Sequence, residues 1–208
     1  MAASAIAVLA LALQACGDTT PTSEIALTDI AVLRSSGEGE TVFAVLEGGK
    51  VQVLTAKGQI KSDLVKPGNA FMVRFIPTVA GRADITGYSP MSNLKTIVAD
   101  SPDSIAGWDA TPVRLLSYTV IDRHLIFHAG LPYSHEKRAI RLVVMQSRDD
   151  VADAYLYQKL DSDAPTFVRD YYFAFDLSGA DVSGISRLRL HVNNSNLPVD
   201  MIEIPLNQ

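Results

Sequence analysis

The chain carries one cysteine in 208 residues, which excludes an internal disulfide and any zinc site built on paired cysteines. It has one tryptophan and no long run of lysine or arginine. The largest basic cluster, Lys137-Arg138 with Arg141, is flanked by Glu136 and reads as a solvated surface. With a formal net charge of -5, nucleic acid is not expected as a partner, because binding that polyanion needs a basic face. Glycine-rich phosphate loops are missing in both forms, G-x-x-x-x-G-K-S/T and G-x-G-x-x-G. H-E-x-x-H, G-x-S-x-G and EF-hand patterns are missing too. These absences point to a protein that is not an enzyme and holds no cofactor. After residue 24 there is also no sustained helical periodicity.

Hydrophobic residues make up 48% and charged residues 20%, which is globular rather than disordered composition. The length suits one or two domains. The first seventeen residues have no charged side chain, and Ala5 to Leu13 reads AIAVLALAL. This apolar run matches the h-region of a signal peptide and falls short of the roughly 20 residues needed to span a bilayer. It ends at Leu13-Gln14-Ala15-Cys16, where a small residue directly precedes the only cysteine. That arrangement resembles a lipobox, in which the thiol is diacylated and the chain is cut before it. Gln14 and the missing basic n-region depart from the usual pattern. The alternatives are an ordinary cleavable signal and a buried N-terminal helix with a chance cysteine; the position of Cys16 favours lipidation. The expected organisation is a lipoprotein signal peptide over 1–15 and a lipidated tether over 16–23. The stretch GDTTPTSE at 17–24, directly after the cysteine, is small, polar and proline-containing, as a flexible tether would be. Cys16 is the one site residue assigned, and its palmitate would hold the chain to a membrane.

Short β-like runs broken by turn residues fill the rest. Glu24 to Leu33 alternates loosely. Thr41 to Leu46 and Val51 to Thr55 flank Glu47-Gly48-Gly49-Lys50, a tight hairpin signal. Lys66-Pro67-Gly68-Asn69 is a second turn, followed by a strand from Ala70 to Ile76. After Ala80-Gly81-Arg82, the stretch Ala83 to Val98 reads as one long strand, bulged around Gly87 and Pro90. Five strands over 24–98 suggest a small closed barrel, which removes sheet edges economically. Ala99 to Trp108 reads as a boundary. Over 99–208 six more strands are expected: Pro112–Ile121, Arg123–Ala129, Ala139–Gln146, Phe167–Leu177, Ile185–Val192 and Val199–Pro205. Their spacing suggests an antiparallel β-sandwich. Asp149 to Leu160 is either a helix or a strand behind a polar loop. The fold class expected is therefore all-β, an OB-like five-stranded barrel followed by a sandwich.

Few side chains suggest chemistry. On a strand, His124, Ile126 and His128 share a face, which sets the two histidines about 13 Å apart at roughly 3.3 Å per residue. That is too far to share a metal, so they read as solvated or hydrogen-bonded; His135 lies in a loop sequence. Asp149, Asp150, Asp153, Asp161 and Asp163 form an acidic patch that reads as a solvated loop rather than a calcium site. In Tyr171-Tyr172-Phe173-Ala174-Phe175, alternation places Tyr171, Phe173 and Phe175 toward a core. Exposed tyrosines, or Trp108 at the boundary, leave a glycan-binding module as an alternative.

Several stretches together resemble one family. They are LQAC at 13–16, GGKVQVLTAKGQIKSDLVKPGNAFMVRFI, GYSPMSNLKTI, DSIAGWDATPVRL, YYFAFDLSG and ISRLRLHV. In their order and hydrophobic pattern they resemble the NigD-like lipoproteins of Bacteroidetes, over roughly residues 13 to 205. The resemblance implies an N-terminal OB-like domain, a C-terminal β-sandwich and a bacteriocin-immunity role, which means binding a toxin. It carries no functional residues across. The partner, protein or glycan, stays unidentified. GDTTPTSE lacks the acidic pair that resembles a surface-export signal in this phylum, so an outer-membrane anchor facing the periplasm is expected.

Overall fold

The computed structural model describes residues 25–37, 39–57, 66–78, 81–101, 112–133, 138–145, 150–160, 167–180, 182, 184–193, 195–196 and 201–206. Among the described residues there are fourteen strands and no helix.

The first five strands close a barrel in the order β1-β2-β3-β5-β4. They are β1 Leu27–Ser36, β2 Glu40–Glu47, β3 Lys50–Lys57, β4 Ala70–Pro77 and β5 Arg82–Pro90. All neighbours are antiparallel except β3 and β5, which run parallel. β1 serves two partners. Leu27 to Val32 pair with β4 and Ala31 to Ser36 with β2, and a bulge between Leu33 and Ser35 interrupts the β2 pairing. This extends β1 past Leu33, through Ser35-Ser36. Gly48 and Gly49 both have positive φ, 59° and 78°, as the two-residue turn joining β2 and β3 requires. Pro67-Gly68 forms the second turn, with Gly68 at φ 86° and Asn69 N–H donating 3.0 Å to the Lys66 carbonyl. Alternate residues fill the interior: Leu33, Phe43, Leu54, Phe71, Val73 and Phe75 among them. Burying each of these large side chains contributes about 1.5–3 kcal/mol.

The long strand expected over 83–98 is three strands. β5 ends at Pro90, and β6 Ser92–Lys95 and β7 Ile97–Ala99 belong to the sandwich. The remaining strands are β8 Arg114–Ile121, β9 His124–Pro132, β10 Arg138–Met145, β11 Val151–Leu160, β12 Val168–Asp176, β13 Arg187–His191 and β14 Met201–Pro205. One sheet has the order β6-β12-β9-β8 and the other β14-β13-β11-β10-β7. Most pairs are antiparallel, while β6/β12, β7/β10 and β11/β13 are parallel. The ambiguous segment 149–160 resolves as strand β11, with Ala152, Ala154, Leu156 and Gln158 facing inward. Between the sheets, Phe127, Phe173 and Phe175 form a ring cluster with centroids 5.5, 5.9 and 6.1 Å apart. Phe173 and Phe175 thus face the core as their alternation predicts, and Tyr171 packs at its margin.

Barrel and sandwich share a packed interface. Val32, Ala44 and Ala70 of the barrel meet Ile121, Ile126 and Ala174 of the four-stranded sheet. Asn93 on β6 acts as a clip across it. Its Oδ1 accepts from Ala70 N–H at 2.6 Å, and its Nδ2 donates to the Ala70 and Met91 carbonyls at 3.2 and 3.0 Å. At the rim, Arg34 donates twice to Asp122, at 2.9 and 2.5 Å. Asp122 sits in the β8–β9 turn at φ 53°. The pair is partly solvated, so it contributes on the order of 1 kcal/mol or less.

Candidate functional site at the barrel mouth

One end of the barrel is open. It is built where β1, β3 and β5 begin and β2 and β4 end, and it encloses a cavity of about 760 Å³. Such a volume lies in the range of small-molecule and side-chain pockets. Val45, Leu54 and Phe75 form the floor, which is the exposed end of the barrel core. Leu27, Pro77 and Thr78 form part of the wall. Three polar side chains stand on inward strand positions above that floor: Asp29, Glu47 and Gln52. The strand period explains each. Asp29 lies two residues before inward Ala31, Glu47 two after inward Val45, and Gln52 two before inward Leu54. Arg82, at the start of β5, also lines the opening.

Burial pushes the Asp29 carboxyl above the ordinary carboxylate range, and the nearby Glu47 charge pushes the same way. The Ile30 N–H, donating 2.7 Å to Asp29 Oδ1, opposes both. Among the described residues neither carboxylate has an ion-pair partner. The mouth is therefore an apolar well with an uncompensated acidic side. It suits a ligand with an aliphatic stem and a cationic head.

Two other surfaces hold the polar side chains anticipated from sequence. His124 and His128 do share the outer face of β9, but their surroundings differ. His128 stacks on Tyr172 at 4.2 Å and lies 3.4 Å from Asp170. His124 is neither solvated nor hydrogen-bonded, contrary to expectation. It is 7% exposed, and among the described residues neither ring nitrogen has a hydrogen-bond partner. The barrel explains this, because the Gly68 turn lies over the imidazole. Asp153 is likewise not part of a solvated loop. It faces outward from β11, where Arg189 and His191 each approach to 2.8 Å. Beside it, Tyr155 stacks on His191 at 4.6 Å, and Tyr157 lies parallel at 6.2 Å. Cys16 and the segments 1–15 and 16–23 lie outside the described residues, as do Trp108, His135, Lys137, Asp149, Asp161 and Asp163.

No family model matches the sequence, and no curated protein matches it. Solved structures do match. A protein of unknown function from Bacteroides vulgatus superposes with a TM-score of 0.66 at 15% identity, covering 87% of this chain and 90% of its own. A NigD-like immunity protein from Bacteroides caccae superposes with a TM-score of 0.54 at 15% identity, covering 86% of this chain and 91% of its own. The chain has the NigD-like fold. A candidate lipoprotein from Bacteroides fragilis shares that fold with a TM-score of 0.55 at 10% identity, covering 86% of this chain and 96% of its own. The NigD-like fold thus includes both the barrel and the sandwich, and the mouth lies in the barrel half.

The mouth residues were missed from sequence. Asp29 and Glu47 sit near strand ends, where acidic side chains ordinarily face water. The available signal was the alternation Leu27, Asp29, Ala31, Leu33, which puts a carboxylate in line with core positions of the NigD-like barrel.

Proposed function

We propose that this chain is a lipid-anchored envelope protein without catalytic activity that binds a protein partner in the manner of an immunity protein. The observation that carries the reading is the fold shared with a NigD-like immunity protein along 86% of the chain. The lipobox-like LQAC and the fold shared with a candidate lipoprotein support the anchor. The anchor is read as outer-membrane and periplasm-facing. Fold alone does not assign function, so the test is direct. Expression in a sensitive strain is expected to protect it from the cognate bacteriocin, and the toxin is expected to co-purify with the protein. No protection and no binding would refute the immunity role. Cys16→Ser is expected to abolish palmitate labelling and release the protein from membranes. Unchanged membrane fractionation of that variant, with no label on the wild type, would refute the lipobox.

A second reading, an envelope carbohydrate-binding module, is favoured by one observation. Tyr155, Tyr157 and His191 form an outward aromatic group on the five-stranded sheet. Aromatic faces can stack on sugar rings. A glycan array is expected to show binding that Tyr155→Ala or Tyr157→Ala weakens; an empty array would count against it.

A further inference from the structure

We propose that the barrel mouth binds an extended cationic peptide segment, which adds as a strand to the free edge of β3 and places a basic side chain between Asp29 and Glu47. The proposal rests on reading the chain as a partner-binding protein, and it names the site and the chemistry of the partner.

Three independent observations converge. The first is an incomplete seam. β3 and β5 pair only at Thr55–Arg82 and Ala56–Ala83. Thr55 N–H donates 2.8 Å to the Gly81 carbonyl, so its backbone faces the β5 side. Residues two apart on a strand turn their backbone groups to the same edge, so Val53 and Val51 face that way too. Among the described residues no strand pairs with this edge before Thr55. Gly81 limits the gap at its upper end, where a Cβ on it would lie 3.5 Å from the Val53 carbonyl. An unpaired edge is a template for another chain, and addition of a strand is a recurring way to bind peptides.

The second observation is the cavity beside that edge. Gln52, Val53 and Leu54 line it, so a strand laid along β3 passes its opening. Side chains of an added strand alternate, and every second one would point toward the mouth. The floor of Val45, Leu54 and Phe75 suits the methylenes of lysine or arginine.

The third is charge. Asp29 is half-buried, its strongest charged neighbour is Glu47, and neither is neutralised within the described residues. A cation entering between them relieves a repulsion that the free protein bears. Arg82 also lines the opening but is outside the set of groups acting on Asp29.

The test uses the full chain and three synthetic probes read by calorimetric titration. One is an octapeptide amide of alternating lysine and valine. The second replaces lysine by glutamate, and the third is the lysine peptide methylated at every backbone nitrogen. The lysine peptide is expected to bind and to slow hydrogen exchange at Val51 and Val53. The double variant Asp29→Asn/Glu47→Gln, its fold checked by thermal melting, is expected to bind roughly tenfold or more weakly, as is the methylated probe. The glutamate peptide is expected not to bind. Equal binding of the lysine and glutamate peptides, unchanged affinity of the double variant, unchanged affinity of the methylated probe, or no binding of the lysine peptide would each overturn the proposal. Failure of the functional reading looks different. A chain that binds the lysine peptide but confers no protection loses the immunity role and keeps the site. A chain that protects without binding the peptide keeps the role and loses the site.

Discussion

Replacing Asn93 by alanine should be among the costliest single polar substitutions in this protein. Ala70 is fully buried, and its N–H points away from β1 toward β6. Among the described residues, the acceptor it reaches is Asn93 Oδ1, at 2.6 Å. The Ala70 carbonyl is better provided, since Met91 N–H also donates to it at 3.2 Å. Truncation therefore leaves one buried amide unpaired and removes two further bonds from acceptors. An orphaned buried donor costs about 1–3 kcal/mol, and ordinary bonds contribute roughly 0.5–1.5 kcal/mol each. These contributions sum to about 2–6 kcal/mol, and because the Ala70 carbonyl keeps its Met91 donor the expected loss lies in the lower half, about 2–4 kcal/mol. For a chain of this size each kcal/mol shifts the melting temperature by about 2–4 °C, so a fall of roughly 4–16 °C is expected. Urea denaturation and differential scanning calorimetry read both quantities. Lys95→Ala, exposed on the same strand, serves as control and should stay within about 0.5 kcal/mol of wild type. If Asn93→Ala costs no more than that control, the amide does not clip the barrel to the sandwich.

Phe127→Ala, at the centre of the three-ring cluster, should cost about 3–5 kcal/mol in urea denaturation, through lost burial and the cavity left behind. Gly130→Ala should destabilise by about 1–3 kcal/mol, because its new Cβ would fall 2.9 Å from Val168 Cγ1; adding Val168→Ala should recover much of that loss. The folded-state pKa of Asp29 is raised, so its carboxylate costs stability above that pKa, and the cost fades as pH falls through it. Asp29→Asn should therefore melt higher than wild type at pH 7, with the gap closing as pH falls toward the ordinary aspartate range; equal melting at pH 7 would contradict the burial of that charge.

Much of the fold is written locally. Gly48, Gly49 and Gly68 occupy turn positions whose positive φ values glycine accepts at low cost, and Pro67 pre-sets the negative φ ahead of Gly68. The core strands show through alternation, as Phe173 and Phe175 do. What sequence does not reveal is where a strand changes partners. Ala83 to Val98 keeps its β character throughout, yet the chain turns at Met91 and again at Thr96, passing from barrel to one sheet and then to the other. Nothing at those two residues breaks a strand pattern, because tertiary pairing decides the break. β11 was ambiguous for a related reason: its inward positions carry two alanines, which suit helix and strand alike. His124 could not be read as unpartnered, since the Gly68 turn that covers it lies in the other half of the fold.

The passage of residues 92–99 between the two sheets bears on how the protein assembles as it emerges. Ser92 finds its neighbour in Phe173, and Ile97 finds its own in Val143. Until those distant segments arrive, β6 and β7 are short naked edges trailing a finished barrel. Loop closure over such separations is slow, and waiting edges invite association between chains. The barrel should therefore be the early folding unit and the sandwich the late one. A chaperone guarding this protein would have most to do after the barrel has closed.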